Sequence, residues 1–185
     1  MSFNKKIIFF FIILTFSSKV FANEKNEIIE NLTEIKNLTF NFEQNINGKV
    51  ENGKCTIEYP KKINCKYDLK NNKILVSNGR SLVIKTTNSY YIYSIKKTPL
   101  DLLLDKKFII DKIKNLKARV VNDKYINFKF YHNENNVNLF FDRKTYNLIG
   151  WQTLDIYQNL SITYLNSIMK NQKLEKNLFK LPTQN

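Results

Sequence analysis

Few residues in this sequence are suited to catalysis or metal binding. His132 is the single histidine among 185 residues, and it lies between Tyr131 and Asn133 near a predicted turn. One histidine does not build a multi-histidine metal site, and the sequence has no G-x-S-x-G, H-E-x-x-H or glycine-rich phosphate-binding motif. The carboxylates are scattered among lysines without a recognisable pair. We therefore expect no catalytic site, no metal and no cofactor, with His132 at the surface.

The two cysteines, Cys55 and Cys65, are the other candidates for chemistry. The nine residues between them exclude a C-x-x-C redox motif and fit no four-ligand zinc pattern. Both have the same parity in two predicted strands, residues 53–59 and 63–67, which are joined by a turn at Pro60. Their side chains should therefore lie opposite each other on one face, or nearly so. A structural disulfide is one interpretation, and two small buried apolar side chains that never bond are the other.

The first 22 residues predict export from the cytoplasm. Lys5 and Lys6 precede an apolar stretch at residues 7–16. The segment ends in Val20-Phe21-Ala22, with small residues at the positions that a signal peptidase reads. This pattern is typical of a secretory signal peptide. The alternative, a membrane anchor, is disfavoured because a hydrocarbon core requires roughly twenty apolar residues. We expect cleavage after Ala22, which leaves Asn23 at the mature start rather than a cysteine that could carry a lipid anchor.

The charge is strongly positive. The whole chain carries +14, and removal of three lysines with the leader leaves 27 basic and 16 acidic residues, a charge of +11. Such an excess is typical of proteins that bind nucleic acid or an anionic surface. Because export separates the chain from nucleic acid, we expect an anionic membrane surface or an acidic patch on a partner. The alternative is that the lysines only form a solvated face.

The spacing of apolar residues predicts one mainly β domain over residues 23–185. Residues 26–38 carry apolar side chains at helical intervals, and from Thr39 the period changes to two. About ten or eleven short alternating segments follow, separated by turns rich in Asn, Asp and Lys. This pattern predicts a single curved antiparallel sheet with a few helices.

A leucine-rich segment interrupts the strands. Thr98 is suited to cap a helix, Pro99 is suited to its first position, and leucines follow at 100 and 102–104. This segment and the first helix are available to cover the apolar face of the sheet. Two arrangements remain open: the helices fill a solid core, or they form a movable lid over an apolar cavity.

Several short motifs follow one another along the chain, and their order is informative. The first strand carries Phe40-x-Phe42-x-Gln44. The next hairpin carries Gly53-x-Cys55-x-Ile57-x-Tyr59-Pro60 and Ile63-x-Cys65-x-Tyr67. A turn and a helix follow with Val76-Ser77-Asn78-Gly79-Arg80 and Thr98-Pro99-Leu100-x-Leu102-Leu103. The C-terminal part adds Leu139-x-Phe141-Asp142 and Leu178-Phe179-x-Leu181-Pro182. This ordered set resembles the LolA family, the soluble periplasmic carriers that bring lipoproteins to the outer membrane of Gram-negative bacteria.

The resemblance implies an incomplete β-barrel covered by an N-terminal helix and a short helical lid. Its apolar interior would take the acyl chains of a lipoprotein. The family's arginine before the proline, which is linked to lid movement, is Tyr59 here, and Val83 replaces an aromatic residue. The resemblance therefore makes Tyr59, Pro99 and Leu103 candidates for lid control, with the Tyr59 hydroxyl bonded to a lid backbone group.

The resemblance and the strand alternation together predict the cavity wall. The expected lining residues are Phe40, Phe42, Ile57, Tyr59, Tyr67, Ile84, Leu100 and Leu103. Cys55 and Cys65 stand where the family has Leu and Trp, which suggests that a covalent bond replaces aromatic packing.

The implied function is that of a monomeric periplasmic carrier, not an enzyme. It would accept lipoproteins from an inner-membrane lipoprotein-releasing ABC transporter and pass them to an outer-membrane lipoprotein acceptor. One alternative is a periplasmic binding protein of the same fold that senses or holds another lipid or amphiphile. Another is a compact protein without a cavity that acts only through its basic surface.

Overall fold

The computed structural model describes residues 23–132, 135–155 and 157–184. The predicted signal peptide, residues 1–22, lies outside the described residues, so cleavage after Ala22 stays a prediction. None of the described helices is both long enough and apolar enough to cross a membrane.

The described chain forms one antiparallel sheet of eleven strands in the order β6-β5-β4-β3-β2-β1-β11-β10-β9-β8-β7. The strands are β1 Asn37–Ile46, β2 Lys49–Glu58, β3 Lys62–Tyr67, β4 Ile74–Asn78, β5 Ser81–Lys85, β6 Tyr90–Ser94, β7 Arg119–Val121, β8 Tyr125–His132, β9 Asn135–Asp142, β10 Leu148–Leu154 and β11 Leu160–Lys170. The first and last strands pair at the centre, while β6 and β7 form the two edges. The sheet is therefore open, and the prediction of an incomplete barrel is confirmed.

Three α-helices accompany the sheet in the described chain. Helix α1 spans residues 23–34, α2 spans Leu100–Leu103 and α3 spans Lys106–Asn115. The prediction of a helix to residue 38 was too long, because Asn37 and Leu38 pair with β2 instead. Helical spacing is a local signal, and pairing with a distant strand overrides it at this boundary.

The predicted cap of the leucine-rich helix was also wrong. Pro99 occupies the N-cap of α2, and the Thr98 hydroxyl instead donates to the carbonyl of Ile95 at 2.8 Å. Helix α3 does have a side-chain cap, since the Asp105 carboxylate accepts from the backbone N–H of Phe108 at 3.1 Å. A short acceptor side chain just before a helix satisfies one of its free N–H groups.

Helices α1 and α3 fill one part of the sheet's apolar face. Their buried residues join the same cluster as the inward side chains of the strands, among them Ile28, Leu32, Ile35, Ile109 and Ile113. Polar contacts hold the two helices together: the Lys106 ammonium donates to the carbonyl of Thr33 in α1 at 2.9 Å and to that of Ile35, just after α1, at 2.6 Å. This part of the interior is solid core.

The C-terminal segment covers the opposite face. Asn64, whose side chain points away from the cysteine-bearing face, donates to the carbonyl of Leu178 at 2.6 Å. Tyr90 donates to the carbonyl of Pro182 at 3.2 Å, so the segment reaches as far as the edge strand β6. Val83, which the strand alternation places on that outer face, is fully buried.

Candidate ligand cavity

The part of the apolar face that α1 and α3 leave uncovered contains a cavity of about 310 Å³. Strands β1–β6, the ends of β10 and β11, and α2 surround it. The apolar part of its wall comprises Phe42, Ile46, Cys55, Ile63, Cys65, Leu75, Leu82, Ile84, Pro99, Leu100, Leu103, Trp151 and Leu154. The interior is thus solid core under α1 and α3 and hollow beside α2, and movement of α2 as a lid stays a prediction.

Five of the eight predicted lining residues line this cavity: Phe42, Tyr67, Ile84, Leu100 and Leu103. The other three, Phe40, Ile57 and Tyr59, do not, and the prediction was wrong for them. They share the inward face but lie where the helices fill it. Phe40 is buried and packs edge-on against Trp151, with ring centroids 6.2 Å apart. Alternation identifies the face of a residue but not the depth at which the cavity begins.

Cys55 and Cys65 form a disulfide within the cavity wall. The two residues are directly opposite each other in the β2–β3 hairpin, and their Cα atoms are 4.1 Å apart. The bond therefore cross-links two neighbouring strands of the cavity wall.

Tyr59 does not contact the lid in the way expected. Its hydroxyl is buried and has no hydrogen-bond partner among the described residues, and this burial raises the pKa of Tyr59. The ammonium of Lys106 lies 5.8 Å from the centre of its ring. The expected hydrogen bond to a backbone group of α2 is absent from the described structure.

Lys61, two residues further on, joins the hairpin turn to α2. Its backbone N–H donates to the carbonyl of Leu104 at 2.9 Å, and its ammonium lies 2.9 Å from Asp101 and 3.5 Å from Asp105. The hydrogen bond that its ammonium donates to Asp101, opposed by partial burial, raises the pKa of Lys61. The sequence predicted only a turn at Pro60 and gave Lys61 no role. The available signal was the pair of aspartates, four residues apart, beside the leucine-rich helix.

A row of polar side chains crosses the cavity wall near the β1–β2 turn. The Gln44 side-chain amide donates to the hydroxyls of Ser161 and Thr163 at 3.2 and 3.3 Å. The Tyr67 hydroxyl donates to the side-chain carbonyl of Gln44 at 3.4 Å. Thr153 lies in the same part of the wall. Sequence reasoning missed this row because its members come from strands at opposite ends of the chain.

An ion-pair network flanks the polar row. Glu51 is 5% exposed and bonds to Lys73, with Lys49 3.0 Å away. Burial alone would raise the pKa of Glu51, but its hydrogen bonds and attraction to the two lysines lower the pKa below its usual value. Lys73 also lies 4.1 Å from the centre of the Tyr67 ring. The carboxylate is therefore compensated although it is buried.

Three tyrosines line the exposed rim of the cavity. Tyr91 and Tyr93 come from the edge strand β6, and Tyr157, which is 70% exposed, comes from the β10–β11 connection. Burial and a hydrogen bond with Tyr157 raise the pKa of Tyr93. The contact between Tyr93 and Tyr157 brings two distant parts of the open sheet together above the cavity.

The described residues contain no group of three or more His, Cys, Asp and Glu side chains that could hold a metal ion. His132 is half-buried rather than freely exposed, because its ring packs edge-on against Phe108 with centroids 4.9 Å apart. The expectation of a surface histidine was therefore only partly correct. His132 lies outside the cavity wall.

The open sheet, the helices over one face and the apolar cavity define a half-barrel binding fold. The chain belongs to the LolA family: the family model described as outer membrane lipoprotein carrier protein LolA matches residues 33–182. The resemblance seen in the sequence is thereby confirmed.

Solved structures show more distant likenesses. A LolA superfamily protein from Nitrosomonas europaea is 8% identical, with 84% of this chain and 97% of that chain covered and a TM-score of 0.42. The lipoprotein LppX of Mycobacterium tuberculosis is 8% identical, with 85% and 99% covered and a TM-score of 0.46. At these scores the likenesses add no argument to the family match. No curated protein matches the sequence.

Proposed function

We propose that this protein carries lipoproteins across the periplasm with their acyl chains enclosed in the cavity. The observation that carries the proposal is an apolar cavity in a chain of the LolA family. Beside the cavity lies the short helix α2, which is tied to the β2–β3 turn by the ion pair of Lys61 and Asp101. Each buried methylene contributes roughly 0.8 kcal/mol, so a chain of about sixteen carbons left in water costs on the order of 12 kcal/mol. A lipoprotein therefore needs such an enclosure to cross an aqueous compartment.

The cavity volume implies that α2 moves during loading. At about 310 Å³ the cavity is at the lower end of the range for small-ligand sites, roughly 300–1,000 Å³. More than one long acyl chain requires more space than this. Helix α2 has only four residues and is the one α-helix in the described cavity wall, so its displacement is the simplest way to enlarge the cavity.

The proposed route begins at an inner-membrane lipoprotein-releasing ABC transporter and ends at an outer-membrane acceptor. The signal peptide brings the chain to the periplasm, where it acts as a monomer. Its positive charge favours transient contact with anionic headgroups at either membrane.

Native mass spectrometry of the protein purified from the periplasm tests this proposal. The expected result is a complex with lipidated polypeptide that dissociates when the acyl chains are removed. Recovery of free lipid alone would instead support the alternative, a binding protein for another amphiphile. Recovery of the ligand-free protein alone, from cells that produce lipoproteins, would contradict both.

A further inference from the structure

The polar row in the cavity wall is formed by strands that meet only in the folded sheet. Thr163 is the cross-strand neighbour of both Gln44 and Trp151, and Ser161 is the neighbour of Thr153. Ser161 and Thr163 are each only 3% exposed, yet both line the cavity. They are thus removed from bulk solvent and face the space that the ligand would occupy.

The hydrogen bonds of this row leave two hydroxyl donors in the cavity wall without an acceptor among the described residues. Gln44 donates to the oxygen atoms of Ser161 and Thr163, so both hydroxyls act as acceptors there. Within the described residues, neither hydroxyl has an acceptor for its own hydrogen. A hydroxyl also has one O–H to donate, and a buried donor is stabilised when it finds an acceptor.

The surroundings define which acceptor suits these donors. Asp155 also lines the cavity and opposes an anionic group, while the charge of Lys73 is already compensated by Glu51. A neutral carbonyl oxygen at the end of a hydrocarbon chain fits better than a free carboxylate. The chain itself would lie on the apolar wall between Phe42 and Leu103.

We propose that the hydroxyls of Ser161 and Thr163, oriented by Gln44, bind the carbonyl oxygen of an ester or amide that links an acyl chain to its carrier group. This inference rests on the proposed function and adds the chemical class that the site recognises. It also sets the direction of the ligand. The acyl chains point towards α2, and the linkage lies at the rim near Tyr157.

Paired probes test the proposal: dioctanoylglycerol, and its dioctyl ether analogue, which lacks both carbonyl oxygens. The wild type should bind the ester roughly three- to a hundredfold more tightly than the ether, the range expected for one or two neutral hydrogen bonds. The double variant Ser161→Ala with Thr163→Val should bind both probes equally, through loss of ester affinity. Dissociation constants from calorimetric titration give the ratio.

Thr39→Val is the matched control, because the Thr39 hydroxyl pairs with Thr56 at 3.1 Å and lies outside the cavity wall. It should keep the wild-type ratio. Equal binding of both probes by the wild type, or an unchanged ratio in the double variant, would overturn the inference and leave the proposed function standing. Failure of both probes to bind the wild type would overturn both. Circular dichroism on each variant verifies that it is folded.

Discussion

The ammonium of Lys61 lies 2.9 Å from the carboxylate of Asp101, which joins the β2–β3 turn to helix α2. Asp105, at the start of α3, lies 3.5 Å from the same ammonium. The family resemblance made Tyr59 a candidate for control of α2 as a lid, but Tyr59 has no polar contact with α2 among the described residues. The charge that faces α2 thus lies two positions further along the turn than Tyr59.

Replacement of Lys61 by Met should loosen α2. The variant keeps an apolar stem but loses both ion pairs, so the amides of α2 should exchange hydrogen roughly three- to tenfold faster, the change expected for about 1 kcal/mol. Hydrogen exchange followed by mass spectrometry measures this.

Lys62→Met is the control for this prediction. Lys62 belongs to the same turn, but its partner is Glu58 at 2.7 Å, and α2 does not contribute to that pair. Equal protection of α2 in the wild type and in Lys61→Met, or equal loss in both variants, would show that the ion pairs do not hold the helix.

Leu103→Glu should impair retention of acyl chains. Leu103 is buried in the cavity wall, and a carboxylate there places charge against the hydrocarbon of the ligand. Less lipidated polypeptide should co-purify with the variant, as measured by native mass spectrometry. Ile92→Glu is the control, because Ile92 is 58% exposed and lies outside the cavity wall. Unchanged release of lipoprotein from inner-membrane vesicles by Leu103→Glu would count against the proposed role.

Loss of the Cys55–Cys65 disulfide should lower the free energy of unfolding. The bond closes a short loop, with a sequence separation of 10 residues, and loops of this size contribute about 2–3 kcal/mol in the chain-entropy picture. Urea unfolding with and without reductant measures the difference. The double variant Cys55→Ala with Cys65→Ala should unfold identically in both conditions. A wild type that is insensitive to complete reduction would contradict this expectation.

Glu51 should make stability depend on pH in the acid range. The pKa of Glu51 is lowered by folding, so its contribution is fully present above the ordinary value of 4.5 and is lost as the pH falls through the lower folded-state pKa. At neutral pH, Glu51→Gln should be less stable by about 1–3 kcal/mol, because Lys73 loses its charged partner.

Urea unfolding of the wild type and Glu51→Gln, from neutral pH to well below 4.5, measures this difference. The two proteins should converge at the acid end. Glu58→Gln is the control, since its pair with Lys62 is far more exposed and contributes less. A constant difference in the free energy of unfolding at all pH values would show that the ionised carboxylate of Glu51 is not what stabilises the wild type.

The sequence-based predictions were accurate where neighbouring residues determine the structure. They were less accurate where contacts between distant parts of the chain determine it. The hairpin of Cys55 and Cys65 was predictable because a strand period of two and a short turn determine which side chains oppose each other. The end of α1 was not, since Leu38 belongs to a strand through its distant partners Ile57 and Lys170. Phe40 and Ile57 were assigned to the correct face but to the wrong part of it.

The amino-acid sequence by itself determined the β-rich class, the single curved sheet, the leucine-rich helix after Pro99 and membership of the LolA family. Only the tertiary structure decided where the apolar face is filled and where it stays hollow. It also decided that Lys61 holds α2 and that Gln44 meets Ser161, 117 positions away. The physical reason is that periodicity is encoded within a few neighbouring residues. Cavity volume and hydrogen-bond partners depend on packing between elements that are remote in the chain.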